Sequence, residues 1–297
     1  MQPTTRHHIL YQTILVLAQL GAVLLLVLAR FGQSPPEQLP VAAVVFWGVL
    51  LGASVSSTAA RFTRPGLLRA VAISVILNVG VALVLPLVSE AAWWYVLAPL
   101  AGNALVLTLH TWFPKRHDML SAMTIYIMCT VLANYTLDSF LPIGSFFLIN
   151  VGTFFFGVTF TQRDRVHAYG RKNVYVMIFV AAVTNVLAAL AVDTPLRYVA
   201  VAFLTILISE TADTEVYQRL LHRPWIERVA KSNAVSAPID AILFTVLAFA
   251  GESFATFGWL TQVIVTDIIV KYAAGMVVAL GVIQAFKRAN PFDKPQL

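Results

Sequence analysis

The sequence predicts an all-α fold, a polytopic integral membrane helical bundle with about ten transmembrane helices. Of the 297 residues, 59% are hydrophobic and only 11% are charged, whereas a soluble globular domain carries about 25% charged residues. Apolar runs of about twenty residues also recur along the chain, and this is the length that a helix needs to cross the hydrocarbon core of a bilayer. The surface of the protein is therefore expected to face lipid.

The predicted spans are apolar segments separated by short polar breaks. Glycine and proline inside them are compatible with helices in lipid, because neighbouring helices satisfy the backbone groups that such residues free. The spans cover residues 9–30, 40–57, 66–88, 91–113, 119–138, 143–162, 173–192, 196–217, 235–251 and 258–285.

The cations orient this bundle. Of the 20 Lys and Arg residues, only Arg30 and Arg197 fall in predicted outer segments, and Lys271 lies inside the last span. The remaining cations fall on the cytoplasmic side if the N-terminus is cytoplasmic. The positive-inside rule then predicts an even number of spans, with both termini on the cytoplasmic side of the plasma (inner) membrane.

The chain divides into two predicted parts. The first four spans contain few polar side chains, so residues 1–117 are expected to form a four-helix membrane extension. The ionisable residues that lie well inside a span come later, and residues 118–297 are therefore expected to form a six-helix core that carries the function.

Ionisable side chains inside spans mark the candidate site. They cost a few kcal/mol each and usually face the interior of the bundle or a water-filled cavity. From a rise of 1.5 Å per residue, Asp240 lies about 13 Å from the cytoplasmic side and Lys271 about 18 Å from the outer side. Both are near the midplane, where transporters bind substrate. Five residues form this set: Glu210, Asp213, Asp240, Asp267 and Lys271.

Helical spacing groups these residues into faces. Ser236, Asp240 and Phe244 follow an i, i+4 spacing and share one face of their predicted helix. Pro238 lies two residues before Asp240 and is expected to bend that helix, which would free a backbone carbonyl beside the carboxylate.

Structural alternatives stand beside these interpretations. Asp267 and Lys271 are spaced as a local ion pair that would neutralise both charges. Asp213, at a depth of only about 9 Å, fits a solvated group at a helix end. Asp240 and Glu210 have no cation within one turn of their own helices, so each needs a partner from another helix.

The polar break at residues 162–172 has two readings. It fits a solvated cytoplasmic loop that follows the charge asymmetry. It also fits a short gate in which Asp164 caps a helix or pairs with an arginine.

Other chemistry is not indicated. The sequence has no phosphate-binding loop, no His-Glu-x-x-His pattern and no Gly-x-Ser-x-Gly pattern, and its histidines have no metal-ligand spacing. We therefore expect no enzymatic activity, no cofactor, no bound metal and no nucleic-acid partner.

The second half resembles the queuosine-precursor transporter family, also called the vitamin uptake transporter family, over residues of about 130–275. The resemblance rests on an ordered series of short motifs. The first members are Asn134, then Asp164, then Tyr169 to Lys172 with Arg171 in the signature loop. The later members are Ser209, Glu210, Asp213, Tyr217, Ser232, Ser236, Asp240, Phe244, Phe249-Ala250-Gly251 and Lys271. His167 departs from the series, because the family usually has an acid there.

The resemblance implies inward transport of a queuosine precursor, a planar 7-deazaguanine-type base. Asp240 or Glu210 would accept the N–H and amino groups of the base as charge-assisted hydrogen bonds. Lys271 or Asn134 would meet its carbonyl edge, and Phe244 or Tyr217 would cover the ring. Ser236 and Asp213 complete the expected binding set, and Asp164 and Arg171 belong to the gate.

Several alternatives stay open at this stage. The protein would otherwise be a vitamin-binding subunit that needs a separate ATPase, an intramembrane enzyme acting on a lipid-linked substrate, or a scaffold with structural ion pairs. A homo-oligomer is open as well. Glu210, Asp213 and Asp240 are candidates for proton coupling, and the driving ion is not determined by the sequence.

Overall fold

The computed structural model of the protein describes residues 13, 16–17, 19–21, 24, 41–57, 64–84, 93–137, 139–191 and 196–285. Most of the predicted span 9–30 lies outside these residues. Nine α-helices have described bounds: α1 (Val41–Ser56), α2 (Arg64–Val84), α3 (Ala98–Trp112), α4 (His117–Tyr135), α5 (Gly152–His167), α6 (Arg171–Ala191), α7 (Leu196–Arg219), α8 (Trp225–Phe249) and α9 (Phe257–Ala285). A short 3-10 helix, Trp93–Leu97, leads into α3.

Three helices of the described part are long and apolar enough to cross a membrane, namely Arg64–Leu83, Arg171–Leu190 and Trp225–Phe249. The outward faces of α2 and α6 carry large apolar side chains, among them Leu68, Ile76 and Leu187, each more than half exposed. An extended apolar surface of this kind suits contact with lipid. The predicted helical membrane architecture is confirmed in these terms, whereas the number of spans and the position of the termini stay predictions.

One predicted helix is shorter at its start than expected. Residues 143–162 were expected to be helical, but strands β1 (Phe140–Ile143) and β2 (Phe147–Asn150) form an antiparallel hairpin that precedes α5. Gly144 adopts a φ of 64° in the three-residue loop between them, and such a loop favours a residue in the left-handed region. The apolar run therefore contained a hairpin and a helix, which hydrophobicity alone does not separate.

The helices of the first half pack closely. A Cβ atom at Gly52 of α1 would lie 1.9 Å from the Pro99 carbonyl oxygen, and one at Gly102 of α3 would lie 2.0 Å from the Val49 carbonyl oxygen. Small residues allow such close approach of helix backbones in membranes. The division of the chain near residue 117 stays a proposal.

Buried amides in this half bind neighbouring helices. The Asn103 side chain donates to the Ser74 hydroxyl at 2.8 Å and accepts from Ser56, and the Asn78 side chain donates to the Tyr95 carbonyl oxygen at 3.2 Å. These hydrogen bonds satisfy polar groups in an apolar interior. They fit the structural role that the sequence predicts for the first helices.

The helices of the second half surround a row of buried polar and charged side chains, the polar axis. Helix α9 packs against α5, α8 and β2, while α7 packs against α6 and α8. Several ionisable side chains of these helices are buried in the space between them, among them Arg163 of α5, Glu210 of α7, Asp240 of α8 and Lys271 of α9.

Candidate functional site

A central triad of Asp240, Asp267 and Lys271 lies at the middle of this axis. Lys271 is the middle residue of α9, and its ammonium donates to Asp267 Oδ2 at 2.5 Å, as the i, i+4 spacing predicted. It also pairs with Asp240 of α8. The partner that Asp240 needed therefore comes from α9.

Each carboxylate of the central triad also has a hydroxyl donor. Thr153 of α5 donates to Asp267 Oδ1 at 2.5 Å, and Ser209 of α7 donates to Asp240 Oδ1 at 3.1 Å. All three triad residues are buried, although they line a cavity. Four helices thus hold one ammonium group between two carboxylates, in a low-dielectric setting that strengthens such charge-assisted bonds.

A main cavity extends from the central triad to the hairpin. Asp240, Lys271, Asn134 and Phe244, four of the predicted binding residues, all line it. Its apolar wall carries four phenylalanines: Phe140, Phe156, Phe244 and Phe249.

Asn134 enters the main cavity from α4. Its amide donates to the Asn185 side-chain oxygen of α6 at 2.6 Å, and Asn185 in turn donates to Thr130 at 2.9 Å and to the Ala181 carbonyl oxygen at 2.8 Å. This chain of hydrogen bonds holds the Asn134 side chain against the cavity wall. Thr205, also in the wall, has a buried hydroxyl with no hydrogen-bond partner in the described part of the protein.

A second, smaller cavity adjoins the main one. Phe156, Asp240 and Lys271 line both cavities, so the two meet at the central triad. The far side of the second cavity is formed by Glu210 and Ser236. These two predicted binding residues therefore lie beyond the triad and not in the main cavity.

An Arg163 cluster, formed by Arg163, Asp164, Glu210 and Asp213, follows along the axis. The Arg163 guanidinium lies 3.2 Å from Glu210 Oε2, 2.8 Å from Asp213 Oδ2 and 3.7 Å from Asp164 Oδ1. Arg163 is only 1% exposed and Asp213 is 0% exposed. The Ser236 hydroxyl also donates to Asp213 Oδ1 at 2.7 Å.

The position of Asp213 corrects one expectation. A solvated group at a helix end is the wrong description, because α7 continues to Arg219 and neighbouring helices cover the carboxylate. Asp213 is also not among the side chains that line either of the two cavities described above. Its direct contacts are with Arg163 and Ser236.

The polar break at residues 162–172 is also different from a solvated loop. Helix α5 continues to His167, and Gln162, Arg163, Asp164 and Arg165 are buried. Their polar groups have partners within the protein, and so the helix does not need water to satisfy them. Arg165, for example, donates to Gln162 at 2.9 Å.

The chain reaches the surface only after His167. Tyr169 donates to Asp118 at 3.3 Å, and burial together with this carboxylate raises the pKa of the Tyr169 phenol to about 12. Gly170 adopts a φ of 110° in the turn. Arg171 is exposed and pairs with Glu215 of α7, so it lies apart from the buried Arg163 cluster.

One comparison with protein families found a similarity in the part of the chain that carries these groups. Residues 150–286, slightly less than half of the 297 residues, match the family model described as "Putative vitamin uptake transporter". The predicted family resemblance is confirmed over this segment. It contains α5 to α9, which carry the central triad and the Arg163 cluster, whereas Asn134 precedes it.

The search of the curated proteins and the search of the solved structures found no match. The similarity of this chain to known proteins therefore rests on the family match. Residues 150–286 are thus similar to a family of putative vitamin uptake transporters, and the apolar helices suit a multi-pass membrane protein.

Sequence reasoning missed several residues of this site. Arg163 was assigned to the cytoplasmic loop, and Thr153, Asn185 and Phe249 were not assigned to binding. The contacts that bring Arg163, Thr153 and Asn185 into the site are with residues of other helices, namely Glu210, Asp267 and Asn134. The only signal in the sequence was the unbalanced charge of Glu210, which required a cation from elsewhere.

Proposed function

We propose that the protein is a membrane transporter that imports a queuosine precursor, a 7-deazaguanine-type base, through the main cavity. The main cavity is the observation that supports this most directly. It combines phenylalanine walls with a polar end at which a carboxylate and an ammonium lie side by side. The phenylalanine walls suit the flat faces of a base, and the carboxylate and the ammonium suit the polar groups at its edge.

The chemistry of the base matches the polar end. A guanine-like edge presents a ring N–H and an amino group next to a carbonyl. The Asp240 carboxylate would accept the two donors, and the Lys271 ammonium beside it would donate to the carbonyl oxygen. Phe244 and Phe156 lie in the same cavity wall and would stack on the ring.

Base binding would have to redistribute the ion pairs of the central triad. Lys271 has two carboxylate partners, and Asp267 would retain it if Asp240 turned to the base. Asp267 is itself fixed by Thr153. The second carboxylate would thus keep the ammonium paired when the first one binds substrate.

The arrangement along the axis supports import. In the predicted orientation the hairpin end of the main cavity is the outer end. The opposite end is occupied by the buried Arg163 cluster, which joins α5 to α7. Alternating access would require this cluster to separate when the site opens inward.

Asp164 and Arg171 contribute to the inner gate in this proposal. Asp164 faces Arg163 inside the bundle, and Arg171 pairs with Glu215 at its surface. Both pairs lie at the cytoplasmic end in the predicted orientation. They would open together with the Arg163 cluster.

Uptake of a labelled 7-deazaguanine base into cells that cannot synthesise it tests the proposal. We expect uptake by the wild type and loss in Asp240→Asn at equal membrane abundance. Glu227→Gln, which changes an exposed carboxylate paired with Lys231, serves as the matched control and should behave as the wild type. No uptake by the wild type would overturn the substrate assignment, and equal uptake by Asp240→Asn would overturn the site.

A further inference from the structure

The buried charges along the axis do not balance. The central triad has two carboxylates for one ammonium. The Arg163 cluster has three carboxylates, and the cations near it are Arg163 and Arg228, the latter buried and in electrostatic contact with Asp164. Each group therefore has one negative charge in excess, and an uncompensated charge in the membrane interior is costly. A cation has to be supplied.

Glu210 has fewer close partners than Asp213 or either carboxylate of the central triad. Its one ion pair in the described part of the protein is with Arg163 Nη1 at 3.2 Å. Asp213 has a closer contact with the guanidinium and a hydroxyl donor, and both triad carboxylates have an ammonium and a hydroxyl donor. Glu210 also lines the second cavity, which gives it a route to the substrate site.

A buried hydroxyl adjoins Glu210. Tyr126 of α4 is 0% exposed, and its hydroxyl interacts with the Glu210 side chain and lies in electrostatic contact with Arg163. A phenol hydroxyl can donate to the Glu210 carboxylate and can accept from its protonated form. Tyr126 can therefore remain bonded to Glu210 in both protonation states.

We propose that Glu210 is the binding site of a proton that crosses the membrane together with the substrate. This inference rests on the proposed transport function. The groups that face Glu210 are Tyr126 from α4, Arg163 from α5, Asp213 from its own helix, Asp240 from α8, and Lys271 from α9 across the second cavity.

Proton binding would act on the inner gate. The added proton converts the Glu210 carboxylate into a neutral acid, which ends its ion pair with Arg163 and leaves Asp213 as the principal partner of the guanidinium. The Arg163 cluster with Arg228 then carries balanced charge. Opening to the cytoplasm would let the proton leave Glu210, and the restored carboxylate would bind Arg163 again.

Purified protein in liposomes with a clamped membrane potential tests this inference. With the outside one pH unit more acidic, the wild type should accumulate the labelled base about tenfold, the ratio set by one proton per molecule. Glu210→Gln should give no accumulation above equilibrium, whereas Glu227→Gln should accumulate as the wild type does. Accumulation by Glu210→Gln equal to that of the wild type would overturn the assignment of Glu210.

Two outcomes separate this inference from the proposed function. Wild-type uptake that stops at equal concentrations despite the pH difference would overturn the proton site and leave the transport function intact. No wild-type uptake would overturn both. If Glu210→Gln does not fold, proton uptake by detergent-purified wild type on base addition decides: one proton per base supports the inference, and none overturns it.

Discussion

Removal of the Arg163 guanidinium is expected to destabilise the protein severely. In Arg163→Met, the carboxylates of Glu210, Asp213 and Asp164 lose a cation that lies 3.2, 2.8 and 3.7 Å from them. Loss of one partner from a buried ion pair costs about 3–5 kcal/mol, because the remaining charge stays buried. We expect a loss near the lower end, about 3 kcal/mol, since Ser236 still donates to Asp213.

The assay is reversible unfolding in mixed micelles, followed by circular dichroism. Lys231→Met, which removes an exposed cation paired with Glu227, is the control and should change the free energy of unfolding by less than about 1 kcal/mol. Adding Glu210→Gln to Arg163→Met should restore part of the stability, because it removes one of the unpaired charges. Equal losses in Arg163→Met and Lys231→Met would refute the reasoning that the cluster is buried and ionised.

Three further predictions concern binding, packing and orientation. Phe244→Ala should weaken binding of the base about tenfold in an equilibrium binding assay, since stacking of a base on an aromatic ring contributes about 1–3 kcal/mol; unchanged affinity would remove this ring from the site. Gly52→Ala should lower the free energy of unfolding by about 1–3 kcal/mol through overpacking, whereas Gly80→Ala, with open space around its Cβ position, should be neutral or stabilising; the reverse order would contradict the close packing of α1 and α3. A cysteine introduced by Glu252→Cys should react with an impermeant maleimide added outside intact cells, because the loop that contains it is predicted to be external. Native Cys129 is buried and should give no background labelling. Labelling only after permeabilisation would reverse the predicted orientation.

The charges of the central triad could be predicted from the sequence because their positions are anomalous. Asp240, Asp267 and Lys271 each interrupt an apolar run, and a charge in such a run requires a partner or a cavity. The i, i+4 spacing paired Asp267 with Lys271 on one helix. Distance along the helix then predicted that Asp240 and Lys271 lie near the midplane.

The Arg163 cluster and the hairpin could not be predicted in the same way. Arg163 lies in a polar segment, and charge patterning assigns such a segment to the cytoplasmic surface. Only the tertiary structure, in which the Arg163 side chain of α5 reaches Glu210 and Asp213 of α7, reveals that Arg163 is buried. The hairpin was missed because its strands continue the apolar run of α5, which has no periodicity that separates strand from helix.

The most direct test of the account compares the binding of two bases to purified wild type and Asp240→Asn. The bases are 7-deazaguanine and its analogue without the exocyclic amino group. If the Asp240 carboxylate accepts the amino group, the wild type should bind 7-deazaguanine at least about thirtyfold more tightly, which corresponds to about 2 kcal/mol for a buried charged hydrogen bond, and Asp240→Asn should lose this preference. An equal preference in both proteins, or no preference in the wild type, would contradict the account.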